Sequence, residues 1–213
     1  IYDALPPEAA SSPEGLEFFG KLREGEGQTS EGAGISRQSL VLKKDEPEAR
    51  LALAVQDKKH TFPEFRRQAW DDLWELTKLD SQPGLDAMMQ LAQDSRLRVD
   101  QAERLLDLVE KHPSSTLKSR LAIVTALIRL KPDQREQLVQ EEVDRFQKDK
   151  SGSLEHIAAW LSENGEHSRL LALIPSNLAK DSSTLYTCLV KALVVQNRWK
   201  EFKAMLGERR PPV

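Results

Sequence analysis

Cysteine is almost absent: one residue in 213, Cys188. A lone cysteine makes no internal disulfide, and no metal-ligand spacing surrounds it. On the apolar side of a predicted helix it reads as a small buried hydrophobe. Aromatic residues are scarce as well, at 6%. No run approaches the ~18 apolar residues that a spanning helix requires, so no membrane contact is expected within this segment. An excess of one charge is also lacking, with 31 Lys and Arg against 34 Asp and Glu and a net charge of −3. Nucleic acid is therefore not an expected partner, because phosphate neutralisation needs a clustered basic footprint.

The motifs of chemistry are missing too. There is no glycine-rich phosphate loop after a strand, no HExxH, no GxSxG and no CxxC. A catalytic constellation needs a nucleophile or base within reach of an orienting partner. His60 and His112 stand at predicted helix ends, an ordinary place for imidazole. His156, Glu163 and His167 approach one face, but Gly165 breaks the helix between them. The expectation is no catalytic residue, no cofactor, no metal and no enzyme.

What the chain does contain is helical periodicity. Leu154, Ile157, Ala158 and Leu161 recur at helical spacing, Asn164-Gly165-Glu166 interrupts, and Leu170, Leu171 and Ile174 resume. A second copy runs Tyr186, Leu189, Val190 and Leu193, then Gln196-Asn197-Arg198, then Trp199, Phe202, Met205 and Leu206. Superposing the breaks sets Gly165 on Asn197, an offset of 32 residues. Further breaks near Arg96 and Pro132 precede at intervals of 36 and 33. Helix pairs repeated at such a period are the mark of an α-solenoid.

Upstream, residues 1–45 read as a largely irregular N-terminal segment with one short helix, since Gly, Pro and Ser dominate. Ser12 and Pro13 offer a cap and first position for that helix, carrying Leu16, Phe19 and Leu22. Residues 35–45 are ambiguous between strand and helix. The chain opens Ile1-Tyr2 without methionine, which reads as a processed product or a piece of something longer. Residues 46–210 form the expected repeat domain. Thr61 and Asp100 are its candidate caps, and one helix from Pro63 carries Phe65, Ala69, Trp70, Leu73, Trp74 and Leu76 as a core stripe. Trp160 and Trp199 are expected in the core.

Period, polar turn and the aromatic Trp199 opening a second helix together resemble the tetratricopeptide (TPR) family, over roughly residues 81–206. The resemblance implies an all-α fold, a right-handed α-solenoid of antiparallel helix pairs. It also implies a groove lined by first-helix positions: Ser119, Arg129, Glu155, Ser162, Thr184, Thr187 and Lys191. With few basic residues and no Asn among them, a clamp for a peptide carboxylate is not expected.

A non-enzymatic scaffold or adaptor binding a partner protein follows, with the cytoplasm as the expected compartment. A filament subunit is one candidate partner, by similarity to small bacterial kinesin-light-chain-like TPR proteins that accompany bacterial tubulin. A helical accessory domain of a larger, secreted or envelope-bound enzyme is the alternative. The last pair also poses a problem of cover, because only seven residues, two of them proline, follow Leu206. An end-face contact through Val195, Trp199 and Phe202 is expected, including self-association through the C-terminal helix pair.

Overall fold

The structure is a computed structural model, which describes residues 7–149, 153–175, 178 and 182–207. Every regular element among the described residues is helical, so the all-α class holds. The chain divides into two compact units, Ile1–Ser115 and Thr116–Val213. That division differs from the boundary expected near residue 45.

The first unit opens with a short turn of helix, α1 (Pro7–Ala10), followed by α2 (Pro13–Gly25) and α3 (Thr29–Leu42). These two helices pack side by side, where an irregular segment was expected. Ser12 does cap α2, accepting from the Gly15 N–H at 3.1 Å. What holds the pair is backbone proximity rather than apolar volume. A Cβ placed on Gly32 would lie 2.6 Å from the Gly20 carbonyl oxygen, so two glycines let the helices approach. Phe19 fills the one large buried position, and Ser39 Oγ donates to the Pro13 carbonyl at 2.7 Å. Leu40-Val41-Leu42 ends α3 and is not a strand.

Helices α4 (Pro47–Asp57), α5 (Pro63–Leu76), α6 (Gln82–Ala92) and α7 (Val99–Lys111) complete the unit. Helix α6 is its centre: it touches α4, α5 and α7 and buries Leu85, Ala87, Met88, Leu91 and Ala92. Charged ties join successive helices. Arg37 forks onto Asp57 at 2.9–3.2 Å, and Arg50 onto Asp72 at 2.6–2.8 Å. In α5 the stripe resolves into buried Ala69, Leu73 and Leu76, with Trp70 and Trp74 half-buried and Phe65 exposed. The N-caps are Phe62 and Arg98 rather than Thr61 and Asp100, and neither fits the usual capping types. Arg66 instead donates to the carbonyls of His60 (2.8 Å) and Thr61 (3.0 Å), and Gln101 reaches back to the Arg98 N–H.

The second unit contains α8 (Leu117–Leu130), a 3-10 turn (Pro132–Gln134), α9 (Arg135–Asp149), α10 (Leu154–Glu163), α11 (His167–Leu173), α12 (Ser183–Val195) and α13 (Trp199–Gly207). Each first helix meets its own partner and the next first helix: α8 with α9 and α10, α10 with α11 and α12, α12 with α13. Leu121, Val124, Ile157, Leu161, Leu170, Leu189 and Leu193 make the core. Trp160 is in it as expected, 5% exposed, its indole N–H donating to Thr125 Oγ1 at 2.8 Å. A buried pair, Arg120 and Glu142, bridges α8 and α9 through two contacts of 2.7 and 2.8 Å.

Candidate interaction face

The same tight turn closes two helices of the second unit. At the end of α10, Gly165 takes a left-handed backbone (φ +75°), its N–H bonds the Ser162 carbonyl (3.3 Å), and Glu166 N–H bonds Leu161 (2.8 Å). At the end of α12, Asn197 does the same (φ +56°), with Asn197 N–H on Val194 (3.1 Å) and Arg198 N–H on Leu193 (2.9 Å). Both are Schellman closures, and Asn is the residue after Gly that tolerates this conformation best. The superposition of Gly165 on Asn197 is therefore physical, and the 32-residue offset can be carried along the helices.

Carried along, it produces a sharp contrast in burial. His167 and Leu170 on α11, and Ile174 just after it, are 7%, 0% and 1% exposed, in the hairpin that α12 covers. Their counterparts on α13 are Trp199, Phe202 and Leu206. Trp199 is 49% and Leu206 45% exposed, and Phe202 is half-buried. Ser162 is buried, while its counterpart Val194 is 37% exposed beside Val195 at 53%. Trp199, Phe202 and Leu206 share one face of α13, at i, i+3 and i+7. The Trp199 and Phe202 rings meet edge to face at 5.9 Å. The expectation of Trp199 as core is thus corrected: no later hairpin covers it among the described residues. Of the end-face set, Val195 and Trp199 are exposed, and Trp199 meets Phe202 ring to ring. Residues 208–213, from which cover was weighed, lie outside the described residues.

The groove set is not one surface. Ser119 is buried in the capping box of α8, its Oγ accepting from Thr116 N–H at 2.9 Å. Ser162 is buried too, and its carbonyl accepts from Lys191 Nζ at 3.4 Å. Both serines are too small and polar for periodicity to place, and at Ser119 local hydrogen bonding to Thr116 holds the side chain inward. Glu155 is exposed and accepts from the Ser182 hydroxyl, so Glu155 and Lys191 each tie α10 to the α12 region. Thr184 and Thr187 lie exposed on α12, with Thr187 Oγ1 donating to the Ser183 carbonyl at 2.8 Å. Arg129 is exposed in the last turn of α8. These residues occur on three helices.

Two concave features lie in the first unit. One groove of about 550 Å³ is lined by Leu16, Gly34, Arg37, Gln38, Val41 and Leu42. A second, about 630 Å³, gathers Lys58, Lys59, Arg66, Asp94 and Arg96. Its cations have structural work: Lys58 Nζ donates to the Gln90 carbonyl at 2.8 Å, and Arg96 forks onto Asp94. Burial pushes the Lys58 ammonium below its ordinary value, against the pull of Asp94. Burial pushes the Asp94 carboxyl up, but the Arg96 guanidinium and backbone N–H outweigh it and hold the carboxyl low. Arg96 also stacks on Trp70 at 4.7 Å and Arg104 on Trp74 at 5.4 Å, so arginines occupy the tryptophan faces.

Among the described residues no group of three or more His, Cys, Asp or Glu is placed to hold a metal. No helix among them is long and apolar enough to cross a membrane. No protein-family model, curated protein or solved structure matches the chain.

Proposed function

We propose that this chain is a non-catalytic scaffold, a TPR-like right-handed array of helix pairs that holds another protein through the apolar face of α12–α13. The exposed strip of Val194, Val195, Trp199 and Leu206 carries the reading. An apolar face of that composition, rimmed by Lys191, Arg198 and Lys200, has the character of an interaction site. Its shape supports a helical occupant, because the equivalent positions on α10–α11 receive α12. Groove contacts are confined in this reading to the exposed members, Arg129, Glu155, Thr184, Thr187 and Lys191.

The test is affinity capture from native cells with the wild-type chain and with a Val195→Glu/Trp199→Glu variant. Partners retained by the wild type and lost by the variant, at unchanged circular dichroism, support the reading. A capture set insensitive to both substitutions overturns it.

A further inference from the structure

The turn that closes α10 and α12 occurs a third time, at the other end of the sequence. Gly27 is left-handed (φ +83°), its N–H bonds the Glu24 carbonyl (3.1 Å), and Gln28 N–H bonds Arg23 (2.9 Å). The next helix then starts two residues later, as after Gly165 and Asn197. Aligning Gly27 with Asn197, an offset of 170, places Phe18 on Cys188 and Lys21 on Lys191. Those two α12 residues are the ones that meet α10. Lys191 reaches the Ser162 carbonyl, and the Cys188 thiol lies against the Ser162 side chain. On α2 the same two positions face outward: Phe18 is 53% exposed and Lys21 is exposed.

Among the described residues there is therefore a hairpin without a cover and a helix whose covering positions face no hairpin. We infer that two copies associate head to tail, with α2 of one copy lying on α12–α13 of the other as α12 lies on α10–α11. This deepens the end-face reading and rests on it. Phe18 then meets the strip around Val194, Val195 and Trp199. Lys21, which pairs with Glu17 at 2.7 Å in the single chain, stands opposite the Val194 carbonyl. That carbonyl is the counterpart of the Ser162 carbonyl, and each already accepts from its left-handed residue. Charge favours the match. Over α2–α3 five acids oppose three bases, a net −2, whereas α12–α13 carries four bases and one acid, a net +3. Two like hairpins would repel where these two attract. The contact joins different surfaces, so it propagates into chains or closes into a ring.

Light scattering of the full chain over a concentration range, at low and high salt, reads this directly. Mass should rise above the 24.1 kDa monomer with concentration, and less so at high salt. Phe18→Glu and Trp199→Glu should each raise the dissociation constant about tenfold or more. Mixed in equal amounts they should form a dimer and nothing larger, because one intact contact remains between them. Unchanged circular dichroism and melting qualify each variant, and Phe18→Gln with Trp199→Gln serves as a milder pair. A wild type fixed at the monomer mass overturns the inference. So does association that survives Phe18→Glu while Trp199→Glu abolishes it, which is a symmetric tail-to-tail contact, or a mixture that fails to dimerise. If the wild type is monomeric yet Val195→Glu/Trp199→Glu still loses a captured partner, the face stands and only the second copy falls.

Discussion

Removing the Glu142 carboxylate should damage the second unit more than any other single charge deletion in a helix-to-helix pair described above. Arg120 and Glu142 keep only 11% and 4% of their side-chain surface, against 38% and 21% for the otherwise similar Arg50–Asp72 pair. Both pairs join neighbouring helices, and both span 22 residues. They differ in water. Deleting one partner of a buried pair strands the other charge in a poorly solvated site, at about 3–5 kcal/mol. An exposed pair contributes ~0–1 kcal/mol, because solvent already screens it. Glu142→Ala should therefore consume a large share of a domain stability of about 5–15 kcal/mol. Asp72→Ala should fall near ~1 kcal/mol. Urea unfolding followed by circular dichroism and tryptophan emission measures both. A double change, Arg120→Met with Glu142→Leu, should recover most of the loss, since apolar groups then replace the buried ion pair. Equal costs for Glu142→Ala and Asp72→Ala, or a double variant as unstable as the single, would refute the reasoning.

The two tryptophans of the repeat should part company. Trp160→Ala should cost about 3–5 kcal/mol by cavity formation, while Trp199→Ala should stay within about 1 kcal/mol, both read as urea midpoints. The Cys188 thiol, pushed up by burial and shielded by α10, should react with a thiol reagent only as fast as the second unit opens; rapid labelling of native protein would contradict this. The held-down Asp94 carboxyl contributes stability that is complete above its ordinary value near 3.8 and is lost as pH falls through the lower folded value. Asp94→Asn should flatten that acid limb in melts across pH, and an unchanged limb would count against the pair.

Helix content and the two matching turns of the second unit were legible because they rest on spacing. Leu154 to Leu161 and Tyr186 to Leu193 repeat strongly, and Gly165 with Asn197 marks turns only a few residue types tolerate. The α2–α3 pair was not legible, because its packing rests on Gly20 and Gly32, which composition counts as linker residues. Trp199 shows a different limit. Periodicity identifies a face that fits against a neighbour and is blind to whether a neighbour exists. Ser119 fails for a third reason: a buried hydroxyl satisfied by its own turn leaves no apolar trace. Lys58, which donates to the Gln90 carbonyl, and Arg96, which donates to the Arg66 carbonyl, act across about 30 residues, beyond the reach of local capping rules.

The ion pairs between successive helices have a kinetic meaning. Arg37–Asp57, Arg50–Asp72 and Arg120–Glu142 each close a loop of only 20–22 residues. Interactions so near in sequence require little chain to be gathered before they form, which places each unit among low-contact-order folds that assemble in the microsecond-to-millisecond range. Such a fold also comes apart in pieces. Helix α13, whose main contact among the described residues is α12, is the segment whose amides should exchange first with solvent deuterium, well before α10, packed against α8, α11 and α12, yields.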